Sequence, residues 1–533
     1  MDPQGWGDPS RRTGLTPHAA SWLQDAVGTA VPTPPAGLPP VGPSDLTGKA
    51  LDALRDAVGD DGVRVDDEAR RQRAAGRSYL DLLALRGDEP LPAPDAVALP
   101  RSAEEVAAVL ATCERLRLAV VPFGGGTSVV GGVTPLRGAF DGVVALDLAR
   151  MDRLMDVDDE ALTATFEPGV RGPAAEQLLA AHGLTLGHHP QSYELATLGG
   201  YAATRSAGQA STGYGRFDEL VTALTLQTPR GELVLGRGAA SAAGPDLLQV
   251  ALGSEGVFGV VTSVTVRVRR QPAARRYEGV FFRTWEQGCA ALRELAQEGV
   301  SPDVVRLSDV DETRVQLALA GTGGLTGRAG RAVLRARGYG SGCLAVFGWE
   351  GTESGVTARR AASLSVAARH GALAVGTSVG ERWRHGRYDG PYLRDDLLDA
   401  GYLVETLETS ATWSGLQRTH ADVRTALTTS LGPVVILCHV SHLYAHGASL
   451  YFTVLAPRSV DDAVGQWTRA KAAASDAIMA SGATITHHHA VGTDHRDWMA
   501  AEVGELGVAV LRAVKATLDP AGVLNPGKLL PEV

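Results

Sequence analysis

Cysteine is nearly absent from this chain: Cys113, Cys289, Cys343 and Cys438 are the only four among 533 residues, and no two form a CxxC pair. That distribution excludes a disulfide framework and a thiolate metal site, and it implies a reducing compartment. A surplus of positive charge is missing too. The formal net charge is −10 and the isoelectric point is near 5.8, so no basic face would offset the repulsion of a nucleic-acid backbone. No apolar run of about 18 residues occurs and no basic-then-apolar leader opens the sequence, so a soluble, cytoplasmic protein is expected, with peripheral membrane contact left open. Two familiar phosphate-binding signatures are lacking as well. No Gly-Lys-Ser/Thr follows the glycines, and no GxGxxG leads directly into a helix.

What is present is length and burial material. A chain this long exceeds what one core usually serves, and 44% hydrophobic residues suffice for at least two domains. Residues 1–44 are rich in Pro and Gly, which opposes helix and sheet alike, so an extended or partly disordered arm is expected there. Residues 45–90 read as a small helical element, with Ser44 or Asp45 as the first cap. A short strand at 94–100 then precedes a helix through Leu116, which Ser102 and Glu105 begin as a capping box.

Pro122 to Val133, PFGGGTSVVGGV, follows the apolar run Leu118 to Val121 and reads as a strand opening into an anion-cradling loop. Without Cβ atoms, Gly124, Gly125 and Gly126 let backbone N–H groups close on phosphate oxygens, and Thr127 and Ser128 add hydroxyls. Two later segments repeat the theme. Leu198-Gly199-Gly200 with Ser206-Ala207-Gly208, and GSEGVFGVV from residue 253, again set small residues beside strands. Three such segments suggest one extended ligand spanning the domain.

These segments, PFGGGTSVVGG, TLGGYAATRSAGQASTGYG and GPDLLQVALGSEGVFGVVT, resemble the FAD-contacting segments of flavoproteins of the vanillyl-alcohol oxidase type. The resemblance implies an α+β fold with FAD held between a two-part binding domain (91–271) and a cap containing an antiparallel sheet (272–485). Residues 486–533 would return to the flavin. FAD contacts are implied for Pro122, Gly124 to Ser128, Gln191, Ser192, Thr197, Leu198, Gly199, Gly200 and Thr204. They extend to Ser206, Ala207, Gly208, Glu255, Gly256, Gly259 and Val260. The loop has no His or Cys where some members attach the flavin covalently, so non-covalent FAD is expected.

SPDVVRLSDVDET (301–313), GPYLRDDLLDAGYLVETLETSATW (390–413), SHLYAHGASLYFTVLAP (441–457) and THHHAVGTDHRDWM (486–499) are similar to segments of the alkylglycerone-phosphate synthase family. That likeness implies a redox-neutral exchange of the acyl group of acyl-dihydroxyacetone phosphate for a fatty alcohol. His487, His488, His489, Tyr451 and His188 match catalytic positions, and Arg394 and Arg306 match phosphate-binding ones. Guanidinium suits phosphate because its planar fork makes bidentate, charge-assisted bonds. A histidine base suits proton removal beside a ketone because neutral imidazole prevails above pH ~6.5. Of three successive histidines, two are expected in one pocket and the third away from it. Gln191 departs from the family, which has an acidic residue there. Oligomeric state stays open, a homodimer included, and no metal is expected. The competing reading is an FAD-dependent 2-hydroxyacid dehydrogenase of the D-lactate or glycolate type. The sequence has HHHAVG in place of the Gly-Glu-His-Gly type of segment found in those enzymes.

Overall fold

The computed structural model describes residues 2–319, 332 and 334–531. Met1, the last two residues and residues 320–331 and 333 of the expected cap lie outside them. Within the Pro-rich arm, Thr16 caps an 11-residue helix, Pro17–Val27, with proline at its start. The expected extended arm is therefore corrected. Proline is harmless at a first helical position, where its missing N–H would have no partner, and Leu23 and Val27 bury against Leu397, Tyr402, Val404, Val435 and Leu455. Composition could not reveal those distant partners. Thr47, not Ser44 or Asp45, caps the next helix, Gly48–Val58, while Asp45 pairs with Arg137.

Strands Ala96–Ala98, Gly142–Asp147 and Leu118–Phe123 form a parallel sheet, and Val63–Arg64 pairs antiparallel on its edge. Helix Ala103–Arg115, capped by Ser102, buries Val106, Val109 and Leu110 in the associated core. Glu105 accepts from Arg101 N–H and not from Ser102, so the expected capping box is only half formed. A second, five-stranded antiparallel sheet runs in the order Leu154–Asp158, Thr163–Phe166, Val260–Arg267, Val221–Thr228, Gly231–Leu235.

A seven-stranded antiparallel sheet dominates the second half, in the order Leu373–Gly376, Ala274–Phe282, Cys343–Gly351, Val304–Ser308, Val435–Tyr444, Gly447–Pro457, Tyr402–Thr412. Side chains alternate along its strands, and this alternation sorts chemistry from core. Ile436, Cys438, Val440, Leu450, Phe452 and Val454 join the core beneath helices Leu416–Leu431 and Ala463–Ser481. Their neighbours Leu437, His439, Ser441, Tyr451 and Thr453 face the opposite way, into a cavity shared with the glycine loop.

The C-terminal segment binds this assembly together. Val120 N–H donates to Val523 C=O and Asn525 N–H to Val120 C=O, while Thr493 N–H donates to Val130 C=O. Residues 493–525 therefore hold both ends of the glycine loop from the far end of the sequence, through these backbone bonds and through side-chain bonds such as Asn525 Nδ2 to Gly132 C=O. No described helix is long and apolar enough to cross a membrane.

Candidate active site

The cavity measures about 520 Å³, within the usual range of ligand pockets. One end is built by the glycine loop. Gly126 and Gly131 take φ of +63° and +70°, a region that L side chains rarely enter. The Leu195 carbonyl and Ala196 occupy the space a Cβ on Gly125 would need. Among the described residues, the N–H groups of Gly125, Gly126 and Thr127 have no protein acceptor, while Ser128 Oγ accepts from Val130 and Gly132. Free donors on a glycine backbone are what a pyrophosphate requires, so the loop fits the phosphate bridge of FAD.

Glu255 ties that loop to the C-terminal segment. Its carboxylate accepts from Val491 and Gly492 N–H, and its carbonyl accepts from Asn525 Nδ2, which also reaches Gly132 C=O. Burial pushes the Glu255 carboxyl up to about 7, and burial pulls the nearby Lys528 ammonium down to about 7.

Opposite the loop, the large sheet presents a row of functional side chains. In its register His439 pairs with Tyr451, and Tyr451 pairs in turn with Glu408. The His439 ring stacks on Tyr451 at 5.0 Å between centroids, and His488 stacks on the same ring at 5.9 Å. Burial raises the Tyr451 hydroxyl to about 12, so it stays protonated.

Glu408 organises the histidine triplet. Its Oε2 accepts His487 N–H at 2.7 Å, and its Oε1 accepts the N–H groups of His488 and His489 at 3.2 and 2.9 Å and the Thr486 hydroxyl at 2.6 Å. Burial opposes its charge, but the adjacent His488 and His489, together with these donors, hold the carboxyl well below the usual range. Three successive N–H groups on one carboxylate bend the backbone, so the triplet is not a strand. His488 and His489 line the cavity, and His487 does not. His487 instead pairs with the Tyr444 hydroxyl at 2.6 Å through Nε2 and with His488 Nδ1 at 2.9 Å through Nδ1.

Burial lowers His488 and His489 to about 4, with Glu408 opposing, so both rings are neutral at pH 7. Glu408 Oε2 lies 3.4 Å from His488 Nδ1, which favours the proton on that nitrogen. His487 Nδ1 then accepts, and His488 Nε2 keeps a free lone pair. His442 joins His487 and His488 in a cluster whose nitrogens lie within 4.8 Å of one another. Its Nε2 meets Gly208 C=O at 3.0 Å and its Nδ1 meets Ser449 Oγ at 3.1 Å, so hydrogen bonds already engage it.

Arg394, on helix Gly390–Asp399, donates from Nη1 to Arg77 C=O at 2.8 Å, while its buried Nε and Nη2 have no hydrogen-bond partner among the described residues. Arg306 is more committed, since Nη2 donates to Glu312 at 2.6 Å, while its buried Nε has no hydrogen-bond partner among the described residues. Arg77 also lines the cavity, and sequence reasoning missed it, as it missed Glu408, His439 and His442. The alternation of 435–442 and 450–455 carried the signal for His439; nothing local marked Arg77.

Most of the other anticipated residues lie in the cavity wall, among them Pro122, Gly124, Gln191, Ser192, Thr197, Gly199, Gly200 and Thr204. Ser206, Ala207, Gly256 and Gly259 do so as well. Four do not, for identifiable reasons. Leu198 and Val260 are fully packed apolar residues of the two FAD-side cores, and Gly208 lies against the His189 backbone. His188 is buried between Tyr201 and Phe217, with Nε2 3.0 Å from Ser206 Oγ, and burial lowers it to about 3. It stands behind the wall, with Ser206 in between.

A glycine cradle facing an antiparallel sheet that bears His, Tyr and Arg defines a two-part FAD-linked flavoenzyme. The FAD binding domain model matches residues 94–236, and the model for FAD linked oxidases, C-terminal domain, matches 271–529. Alkyldihydroxyacetonephosphate synthase of Dictyostelium discoideum is 32% identical over 484 residues, covering 89% of this chain and 79% of that protein. The enzyme of that name from Trypanosoma brucei brucei is 33% identical over 501 residues, covering 90% and 80%. A solved alkyldihydroxyacetonephosphate synthase superposes with a TM-score of 0.83 at 27% identity, covering 99% of this chain and 98% of that one. The chain belongs to the alkyldihydroxyacetonephosphate synthase family, and FAD is its cofactor.

Proposed function

We propose that the protein exchanges the acyl group of acyl-dihydroxyacetone phosphate for a fatty alcohol, giving alkyl-dihydroxyacetone phosphate without net oxidation. The observation that carries this reading is the make-up of one cavity. Arg394, the neutral rings of His488 and His489 and a stretch lined by Leu15, Val404, Leu437 and Leu455 all belong to its wall. Lactate or glycolate would leave that apolar stretch unused, which disfavours the dehydrogenase reading.

Gly124 to Ser128, Gly199, Gly200 and Gly256 would hold FAD non-covalently, and when bound it would supply an electrophilic centre for the substrate carbon. Arg394, supported by Arg306, binds the head-group phosphate. His488 Nε2 takes the proton from the carbon beside the ketone, and Glu408 keeps the opposite nitrogen protonated. Tyr451 donates its hydroxyl hydrogen toward the departing carboxylate or its carbonyl, and His188 positions Ser206 from behind. On this reading a cap over 272–485 carries Arg306, Arg394 and Tyr451, and the segment from 486 brings the histidines to the flavin. The same reading has a cytoplasmic enzyme meeting its lipids at a membrane surface. The test is incubation of purified holoenzyme with palmitoyl-dihydroxyacetone phosphate and labelled hexadecanol, with no electron acceptor present. Label in alkyl-dihydroxyacetone phosphate is expected; its absence contradicts the proposal.

A further inference from the structure

The N-terminal arm belongs to the cavity wall, although its composition suggested an uninvolved tail. Its course is fixed by helix Gly390–Asp399, together with bonds from Arg77 Nε to Gly5 C=O, from Arg86 Nη1 to Gln4 C=O and from Gln4 Nε2 to Leu85 C=O. Trp6 N–H donates to Asp395 Oδ2 at 2.7 Å, Arg12 Nε to Asp396 Oδ1 at 2.8 Å, and Gly14 N–H to Asp396 Oδ2 at 2.9 Å; Arg12 also pairs with Asp399. The helix that anchors the arm also carries Arg394. Anchoring sets the following helix, Pro17–Val27, on the sheet face beside Val404, Val435 and Leu455. Leu15, Ala19, Trp22 and Leu23 thereby line the cavity, and each is apolar.

We propose that the arm helix forms the wall against which a saturated hydrocarbon chain lies, and that Ala19 and Trp22 set the length of chain accepted. The identity of that chain, fatty alcohol or acyl group, rests on the exchange reading; its binding does not. The physical basis is burial of methylenes. Each methylene that enters the apolar stretch tightens binding about fourfold, the factor equivalent to ~0.8 kcal/mol, until the chain end meets an obstacle. Trp22 is the bulkiest side chain that the arm helix places in the wall, and Ala19 lies one helical turn before it, on the same face.

The experiment is calorimetric binding of saturated primary alcohols, decanol to octadecanol, to the FAD-loaded full-length chain. Wild type should gain affinity with length and then stop gaining. Trp22→Ala should move that break to longer alcohols. Ala19→Trp should move it to shorter ones, weakening octadecanol at least tenfold while leaving decanol within about twofold, a contrast of at least about fivefold, equivalent to ~1 kcal/mol. Trp22→Phe should restore most of the wild-type profile and guards against a folding defect in the smaller variant. An equal loss for every alcohol in the variants, or an unmoved break, overturns the proposal, because a merely structural arm would not discriminate by length. So does wild-type binding with no dependence on length. Wild-type binding that depends on length without any alcohol exchange would leave this proposal standing and remove the exchange reading.

Discussion

Glu408 Oε2 lies 3.4 Å from His488 Nδ1, and the same carboxylate accepts the backbone N–H groups of all three consecutive histidines. One buried charge thus fixes both the path of the triplet and the tautomer of the ring that faces the cavity. Glu408→Gln replaces one acceptor oxygen with an N–H₂ group aimed at backbone donors. Loss of ~1–3 kcal/mol of stability is expected from the unsatisfied pairs, with exchange falling much further than substrate affinity. Denaturant melts and the split between kcat and KM check this. A variant with unaltered kcat would separate Glu408 from the chemistry.

The pH dependence follows from burial of the rings. His488 and His489 titrate near 4 in the folded protein, below the ordinary value of ~6.5. The unfolded chain therefore binds more protons between those limits. The contribution of these rings is complete above pH ~6.5 and is lost as the pH drops from there to about 4, with Glu408, whose folded value is also depressed, adding to the loss at the acid end; the raised Glu255 carboxyl works in the opposite sense, its contribution being lost as the pH rises through about 7. Denaturation midpoints across that range test the sign. kcat should stay flat from pH ~5.5 to 8, because it reports the bound complex and not the phosphate of free substrate, which titrates near 6. An acid limb in kcat at pH ~6.5 would contradict neutral buried histidines.

Arg394→Lys keeps the charge but removes the planar fork whose Nε and Nη2 are free. Phosphate-bearing substrate should bind ~1–3 kcal/mol more weakly, while FAD content stays normal. Substrate titration and flavin absorbance measure the two separately. Loss of flavin with unchanged substrate affinity would move Arg394 to the cofactor site.

Acid precipitation should release FAD into the supernatant, since the loop holds its ligand through backbone donors and carries no His or Cys. Flavin colour left in the protein pellet would contradict non-covalent binding.

The glycine loop was legible in sequence because both its strand and its turn are local: apolar residues lead into glycines, and the N–H groups of Gly125 and Gly126 have no acceptor among the described residues. The strand alternation around Tyr451 was legible for the same reason. Glu408, Arg77 and the arm helix were not. Glu408 meets the triplet from about 80 positions away, and Arg77 joins Arg394 across more than 300. Such pairings depend on sheet register, which no local pattern states. His188 shows the converse case: a matching motif suggested it as a catalytic residue, and what no local pattern states is its packing between Tyr201 and Phe217 with Nε2 on Ser206 Oγ.

Exchange without electron transfer is the central claim, and an anaerobic cuvette tests it most directly. With palmitoyl-dihydroxyacetone phosphate and labelled hexadecanol, the holoenzyme should incorporate alcohol over many turnovers while its flavin ends oxidised and no acceptor is consumed. His488→Ala should lower that rate by ~10²–10⁴-fold with the FAD spectrum intact. Rapid bleaching of the flavin by D-lactate or glycolate, with no label incorporated, would contradict the account.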